Sequence, residues 1–127
     1  MQRTDEMYAR DVASQTLGIQ ISDISDGRAT ATMTVTRSMV QGHGTCHGGY
    51  LFLLADTAFA FACNTGRDAV ASGADVEFLA PAYEGDVLVA MAQERVTRGR
   101  SGIYDATVRR GDEVVVEFRG RSREVRT

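Results

Sequence analysis

The run Cys46-His47-Gly48-Gly49-Tyr50-Leu51-Phe52-Leu53-Leu54-Ala55-Asp56-Thr57-Ala58-Phe59-Ala60-Phe61-Ala62-Cys63-Asn64 holds the longest apolar stretch of the chain. It is rich in Leu, Phe and Ala and has no cluster of β-branched residues, which favours helix over strand. Apolar residues lie on every side of that helix, and this predicts burial in a core or in a membrane. At roughly 17 residues the run is marginal for a bilayer span, and Asp56 stands in its middle, so a core helix is expected. The carboxylate is the anomaly, because losing its hydration is costly unless hydrogen bonds or charges offset the loss. Either the helix turns one polar face, Asp56 and Thr57, to solvent, or an apolar cleft holds Asp56 for nucleophilic or general-base work.

The helix start offers a second feature. His47-Gly48-Gly49 lies where the first backbone N–H groups have no acceptor within the helix. Those groups and the helix dipole favour a developing negative charge, and glycine lets a substrate carbonyl approach the backbone. His-Gly-Gly alone is equally consistent with a tight turn before a helix. Asp56 follows Gly48 by eight residues, which spans about 12 Å of helix. One carbonyl cannot touch both groups of one chain, since catalytic contacts need roughly 3 Å each. If both act on one group they come from two chains, and two antiparallel copies of the helix around a two-fold axis would give a homodimer with two shared sites.

His47-Gly48-Gly49, followed by Leu54-Ala55-Asp56-Thr57-Ala58-Phe59-Ala60 and Ala62-Cys63-Asn64, closely resembles the hotdog-fold acyl-CoA thioesterases of the phenylacetic-acid-degradation type. Val76-Glu77-Phe78-Leu79-Ala80-Pro81-Ala82, Gly85-Asp86, Arg98-Gly99-Arg100 and Phe118-Arg119-Gly120-Arg121-Ser122 agree with it in the same order along nearly the whole chain. The resemblance implies an α+β hotdog fold, a curved antiparallel sheet wrapped around a central buried helix, in a single domain over residues 1–127. It implies hydrolysis of aromatic acyl-CoA esters such as phenylacetyl or hydroxyphenylacetyl esters, with no cofactor and no metal. It assigns Asp56, Gly48 and His47 to catalysis, and Gly49 and Thr57 to substrate binding. It also implies a homotetramer of two dimers.

Composition sets bounds of its own. A chain of 127 residues with 43% apolar and 24% charged residues reads as one globular domain. The net charge of −3 gives no general reason to expect nucleic acid or an anionic membrane as partner. No positive-then-apolar leader stands at the start, so a cytoplasmic protein is expected. Cys46 and Cys63 fall at opposite ends of the expected helix, about 25 Å apart, too far for a disulfide within one chain.

The remaining pattern is mostly strand. Thr4–Leu17 has helical spacing with Thr4 as cap and Gly18 as stop. Strands are expected at Ile19–Ile24 and Ala29–Val35, joined at Asp26-Gly27, and then at Ala69–Phe78, with Gly73 marking a bulge or a close approach to ligand. Further strands are expected at Val87–Val96, Ile103–Arg109 and Val114–Arg123, the last two joined at Gly111-Asp112. Helix, two strands, buried helix and four strands give an α+β arrangement with an antiparallel sheet.

Several constellations compete with the helix motif. Arg98, Gly99 and Arg100 are candidates for the phosphates of coenzyme A, or are solvated charges on a turn. Arg119, Arg121 and Arg123 alternate on one strand face, as on a solvated edge. Phe52, Phe59 and Phe78 are available to an acyl pocket, with core packing as their default. Cys46 and His47 could form a nucleophile pair, but neighbours in sequence need not meet and no third orienting group is evident. His43, Cys46, His47 and Asp56 do not match common zinc spacings. Hydration of an enoyl-CoA by His47 and Asp56, and non-catalytic acyl-CoA binding, remain as alternatives to hydrolysis.

Overall fold

The computed structural model describes residues 2–125. Two short helices, α1 (Gln2–Arg10) and α2 (Val12–Thr16), precede the hairpin β1 (Gln20–Ser25) and β2 (Arg28–Thr34). A loop with one 3-10 turn (Arg37–Met39) leads to α3 (Gly48–Ala62). Four strands follow: β3 (Ala69–Phe78), β4 (Val87–Arg98), β5 (Ser101–Arg110) and β6 (Glu113–Glu124). All pair antiparallel in one six-stranded sheet of order β1-β2-β4-β5-β6-β3.

The two-residue period of the strands puts Ala29, Ala31 and Met33, Leu88, Ala90 and Ala92, Tyr104, Ala106 and Val108, and Phe118 and Gly120 on the face towards α3, all buried. Many of these are Ala or Gly, so the sheet can come close to the helix. Leu54, Phe59 and Phe61 of α3 fill the space left by those small residues. At Gly120 the approach is closest, since a β-carbon there would lie 2.8 Å from the Phe59 ring. Phe59 in turn packs against Tyr104 and Phe118, each at a ring-centre distance of 5.7 Å.

The helix is not covered on all sides. Leu51, Leu54, Ala55, Thr57, Ala58, Phe59, Phe61 and Ala62 are buried; Gly48, Tyr50 and Phe52 near the helix start are not, nor are Gly49, Leu53, Asp56 and Ala60. Those four recur at intervals of four, three and four residues, so they form one strip along α3. The strip faces away from the sheet.

The expected single helix over Thr4–Leu17 is broken at Asp11. Its carboxylate accepts the Ser14 backbone N–H (3.0 Å) and the Ser14 hydroxyl (2.7 Å), which starts a new helix at Val12. Thr4 lies inside the first turn of α1 rather than capping it. Gly18 stops α2 as expected, with φ at +73° and the Ile19 N–H returning to the Ser14 carbonyl at 2.9 Å. The register of β3 shifts between Ala71 and Gly73, the bulge expected there.

The two sheet edges differ. β1 is short, its register slips between Ser22 and Ser25, and Asp23 has a positive φ, all of which blunt an edge. β3 is longer and carries exposed Val70 at its start and Phe78 at its end.

Candidate active site

The chain enters α3 through a narrow hairpin. Val40 pairs with Cys46, the Cys46 N–H donates to the Ala82 carbonyl and the His47 N–H to the Met39 carbonyl, both at 2.7 Å. His47 is extended (φ −61°, ψ 135°) and serves as the N-cap. Its Nδ1 accepts the Gly49 N–H at 2.8 Å, and its carbonyl accepts those of Tyr50 (3.0 Å) and Leu51 (3.4 Å). Three of the first four helical N–H groups are thereby satisfied. The N–H of Gly48 has no acceptor among the described residues. Because Nδ1 accepts, the proton of neutral His47 sits on Nε2.

Gly48 borders a cavity of about 410 Å³ whose walls include Cys46, Leu51, Phe78, Leu79 and Pro81. The Phe78 ring lies over Gly48, with Cζ 3.2 Å from where a β-carbon would stand. A side chain there would crowd the ring, so glycine leaves the approach to the amide open. Gln41, Thr45 and Ala80 also line the cavity; Leu79, Ala80 and Pro81 belong to the stretch that carries the family resemblance, but none of these lining residues was expected at the site. An apolar Leu79 directly before Ala80 and the chain's sole proline was the available signal.

Asp56 lies two turns further along the same unbroken helix, about 12 Å from Gly48 by helical rise. It stands on the open strip, half-buried, and burial raises its pKa above the usual 3.8. Thr57 points elsewhere. It is buried, and its hydroxyl meets that of Ser14 at 3.2 Å, which ties α3 to α2. Asp56 and Thr57 therefore do not share a face, and a polar face made of both is not present.

The basic turn is remote from Gly48 within one chain. Arg98 pairs with Ser101, Ser101 with Arg123 and Arg123 with Val70, at the start of β3. Phe78 marks its other end, about 25 Å away at the rise of a strand. Gly99 has a positive φ and makes the tight turn, while Arg98 is exposed. Arg100 donates through Nε (3.2 Å) and Nη2 (3.0 Å) to the Glu124 carbonyl. Arg119 pairs with Asp105 and Arg121 with Asp75 on the outer sheet face.

The cysteine reading finds little support in this geometry. Burial pushes the Cys46 thiol up, and His47 Nδ1 is committed to Gly49. Cys63 is buried at the far end of α3 and raised to about 11. Among the described residues no three His, Cys, Asp or Glu side chains are grouped to hold one metal ion.

Residues 43–117, more than half of the chain, match the family model described as "Thioesterase superfamily". The chain belongs to this family. The acyl-coenzyme A thioesterase PaaI of Escherichia coli (strain K12) is 46% identical over 126 residues, covering 98% of this chain and 90% of that one. The solved structure of E. coli PaaI, from the phenylacetic acid degradation operon, superposes with a TM-score of 0.96 at 45% identity, over 98% of this chain and 92% of that one. A point mutant of the phenylacetic acid degradation protein PaaI of Thermus thermophilus gives 0.89 at 31% identity, over 91% and 100%. The six-stranded sheet around α3 is thus a hotdog fold, and the chain is a thioester-hydrolysing enzyme. No described helix is long and apolar enough to cross a membrane.

Proposed function

We propose that the protein is a cytoplasmic homo-oligomeric acyl-CoA thioesterase acting on phenylacetyl-CoA, its hydroxylated forms or related aromatic esters. The observation that carries this reading is the unsatisfied Gly48 N–H, at a helix N-terminus and on an apolar cavity, with its three neighbours all satisfied. A donor so placed suits an oxygen that gains charge during reaction. The cavity beside it is bounded by Phe78, Leu51, Leu79 and Pro81, walls fit for an aromatic acyl group.

The second half of the site comes from another copy. Two chains meeting along β3, with their α3 helices antiparallel, bring each Gly48 beside the partner's Asp56. The same arrangement carries the partner's Arg98-Gly99-Arg100 turn towards the Gly48 end, where it is assigned to the phosphates of coenzyme A. Two such dimers form the tetramer that the family resemblance implies. His47 acts by fixing the helix start through Gly49. Thr57 acts through its tie to Ser14, next to Asp56.

Hydrolysis then runs as follows. The thioester carbonyl oxygen points at the Gly48 N–H. The Asp56 carboxylate takes a proton from water while the water oxygen bonds to the carbonyl carbon. Charge collects on the carbonyl oxygen against Gly48, and the C–S bond then breaks. The sulfur leaves with the proton from Asp56, giving coenzyme A and the carboxylic acid. Direct attack by Asp56, through a mixed anhydride that water cleaves, uses the same groups. The raised pKa favours the base role, since a base works best when its pKa approaches the working pH. Neither route needs a cofactor.

The test is thiol release from phenylacetyl-CoA, hydroxyphenylacetyl-CoA, benzoyl-CoA, a short straight-chain ester and an enoyl-CoA, by wild type and Asp56→Asn. Asp56-dependent release that prefers aromatic esters is expected. Loss of enoyl absorbance without thiol release would instead establish a hydratase, and tight binding without release a binding module.

A further inference from the structure

The segment 79–86 between β3 and β4 supplies Leu79, Ala80 and Pro81 to the cavity wall, yet it has no helix or strand of its own. Backbone bonds hold its ends. The Leu79 and Ala80 N–H groups donate to the Val115 carbonyl (2.8 and 3.3 Å), and the Gly85 N–H donates to the Val35 carbonyl (2.8 Å). Its middle is held by buried Ala82, whose carbonyl accepts the Cys46 N–H at 2.7 Å, and by one side chain from elsewhere. Arg110, at the end of β5, donates through Nη1 to the Pro81 carbonyl (3.2 Å) and to Asp86 Oδ2 (2.8 Å). Its Nη2 pairs with Glu113. The guanidinium carbon lies 5.8 Å from the centre of the Tyr83 ring. Asp86 Oδ2 also accepts the Tyr83 N–H at 2.8 Å.

One planar group therefore grips the loop at Pro81, Tyr83 and Asp86. We infer that Arg110 is a positioning residue for thioester hydrolysis, holding Leu79–Pro81 as the acyl wall. This rests on the proposed reading of the cavity as the acyl site. A surface ion pair alone would not require arginine. Nη1 serves Pro81 and Asp86 while Nη2 serves Glu113 and the cation lies over the Tyr83 ring, a spread of contacts that the single nitrogen of lysine does not cover. Consistent with a tight contact, the guanidinium holds the Asp86 carboxyl below its usual range.

The test compares wild type, Arg110→Ala and Arg110→Lys on the same ester panel, with Asp56→Asn as control. Free coenzyme A serves as competitive inhibitor, and Tm is recorded for each variant. Both Arg110 variants should lose about 10- to 100-fold in kcat/KM for phenylacetyl-CoA, because small displacements of a positioned reactant are amplified in rate. The short-chain ester should lose much less, and inhibition by coenzyme A should not change. Millimolar guanidinium should restore part of the loss in Arg110→Ala only. Equal losses on all esters that track Tm would show a merely structural role, and unchanged kinetics in both variants would remove Arg110 from the mechanism. Should Arg110→Ala not fold, Arg110→Lys carries the comparison. If wild type releases no thiol, the hydrolysis reading has failed separately. Calorimetry with the same esters then decides, since Arg110→Lys must weaken the aromatic ester relative to coenzyme A, and equal weakening overturns the inference.

Discussion

Replacing Gly48 by proline removes one hydrogen-bond donor and sets a ring in the approach to it, while leaving the helix start intact. Proline is favoured at the first position of a helix, and the residue before it prefers the extended backbone that His47 already has (ψ 135°). No bond among the described residues is lost, since the Gly48 N–H has no acceptor there. The new β-carbon meets Phe78 Cζ at 3.2 Å, but that side chain is 52% exposed and has room to yield. Gly48→Pro should therefore fold and lose about 10²–10³ in turnover. Asp56→Asn, nearly isosteric, should lose about 10²–10⁴. Mixing the two inactive proteins separates the two possible architectures. If each site joins Gly48 of one chain to Asp56 of the other, a mixed dimer has one site with both lesions and one with neither. Equal mixing makes half of the dimers mixed, so about one quarter of wild-type turnover per chain should return. The assay is co-refolding of two differently tagged variants, isolation of particles bearing both tags and thiol release. About half of wild-type turnover is expected where the dual-tagged particles are dimers, and about two sevenths where they are tetramers of two randomly drawn dimers. Dual-tagged particles no more active than their parents would refute the shared site.

Further outcomes follow from single residues. The acid limb of kcat/KM should report Asp56 above the ordinary carboxylate range and vanish in Asp56→Asn. Because the folded pKa is raised, ionising Asp56 costs the native state nothing at low pH and progressively more as pH rises through that pKa. Tm of Asp56→Asn should therefore exceed wild type at neutral pH and match it in acid, and a lower neutral Tm would contradict the burial argument. His47→Ala strands the Gly49 N–H and should cost about 1 kcal/mol, or ~4 °C in Tm for a chain of this size, with most regained in His47→Asn. Gly120→Ala forces a β-carbon to 2.8 Å from Phe59 and should cost about 1–3 kcal/mol, read as a Tm lower by ~4–11 °C. Phe59→Leu should return part of that, and an unchanged Tm in Gly120→Ala would mean the helix is not seated where described.

The strands and the central helix were legible because each has one dominant period. Ala29, Ala31 and Met33 alternate with Thr30, Thr32 and Thr34, and no other structure explains that pattern as well. The break at Asp11 was not legible, since Asp11 fits the polar face of a continuing helix and shows its capping role only through Ser14. A run apolar on all sides cannot say which side the sheet will cover. The open strip at Gly49, Leu53, Asp56 and Ala60 emerged only once the extent of the sheet was known. Free N–H groups at the helix start were foreseeable. That His47 takes Gly49 and leaves Gly48 depends on one extended backbone and one ring nitrogen. Nothing in the sequence marks Arg110, because its partners Asp86 and Pro81 lie 24 and 29 positions away.

The unfinished parts of the fold and the unfinished parts of the site coincide. One chain leaves β3 with an unpaired edge, Val70, Phe78 and Leu79 at 56, 52 and 58% exposure, and the α3 strip half-covered. Burying apolar area of this kind is the usual driving force for association, and an unpaired edge invites another strand. The same chain has a hydrogen-bond donor without a charge to stabilise at Gly48, and a carboxylate without a reaction partner at Asp56. Association that pairs β3 and covers the strip also removes water from around Asp56, beyond the burial it already has in one chain. That raises the cost of its charge and strengthens it as a base. In the proposed dimer, assembly and catalysis draw on one surface, so Leu53→Asp should separate the chains and silence the site together, read as a shift to monomer in sedimentation with loss of thiol release.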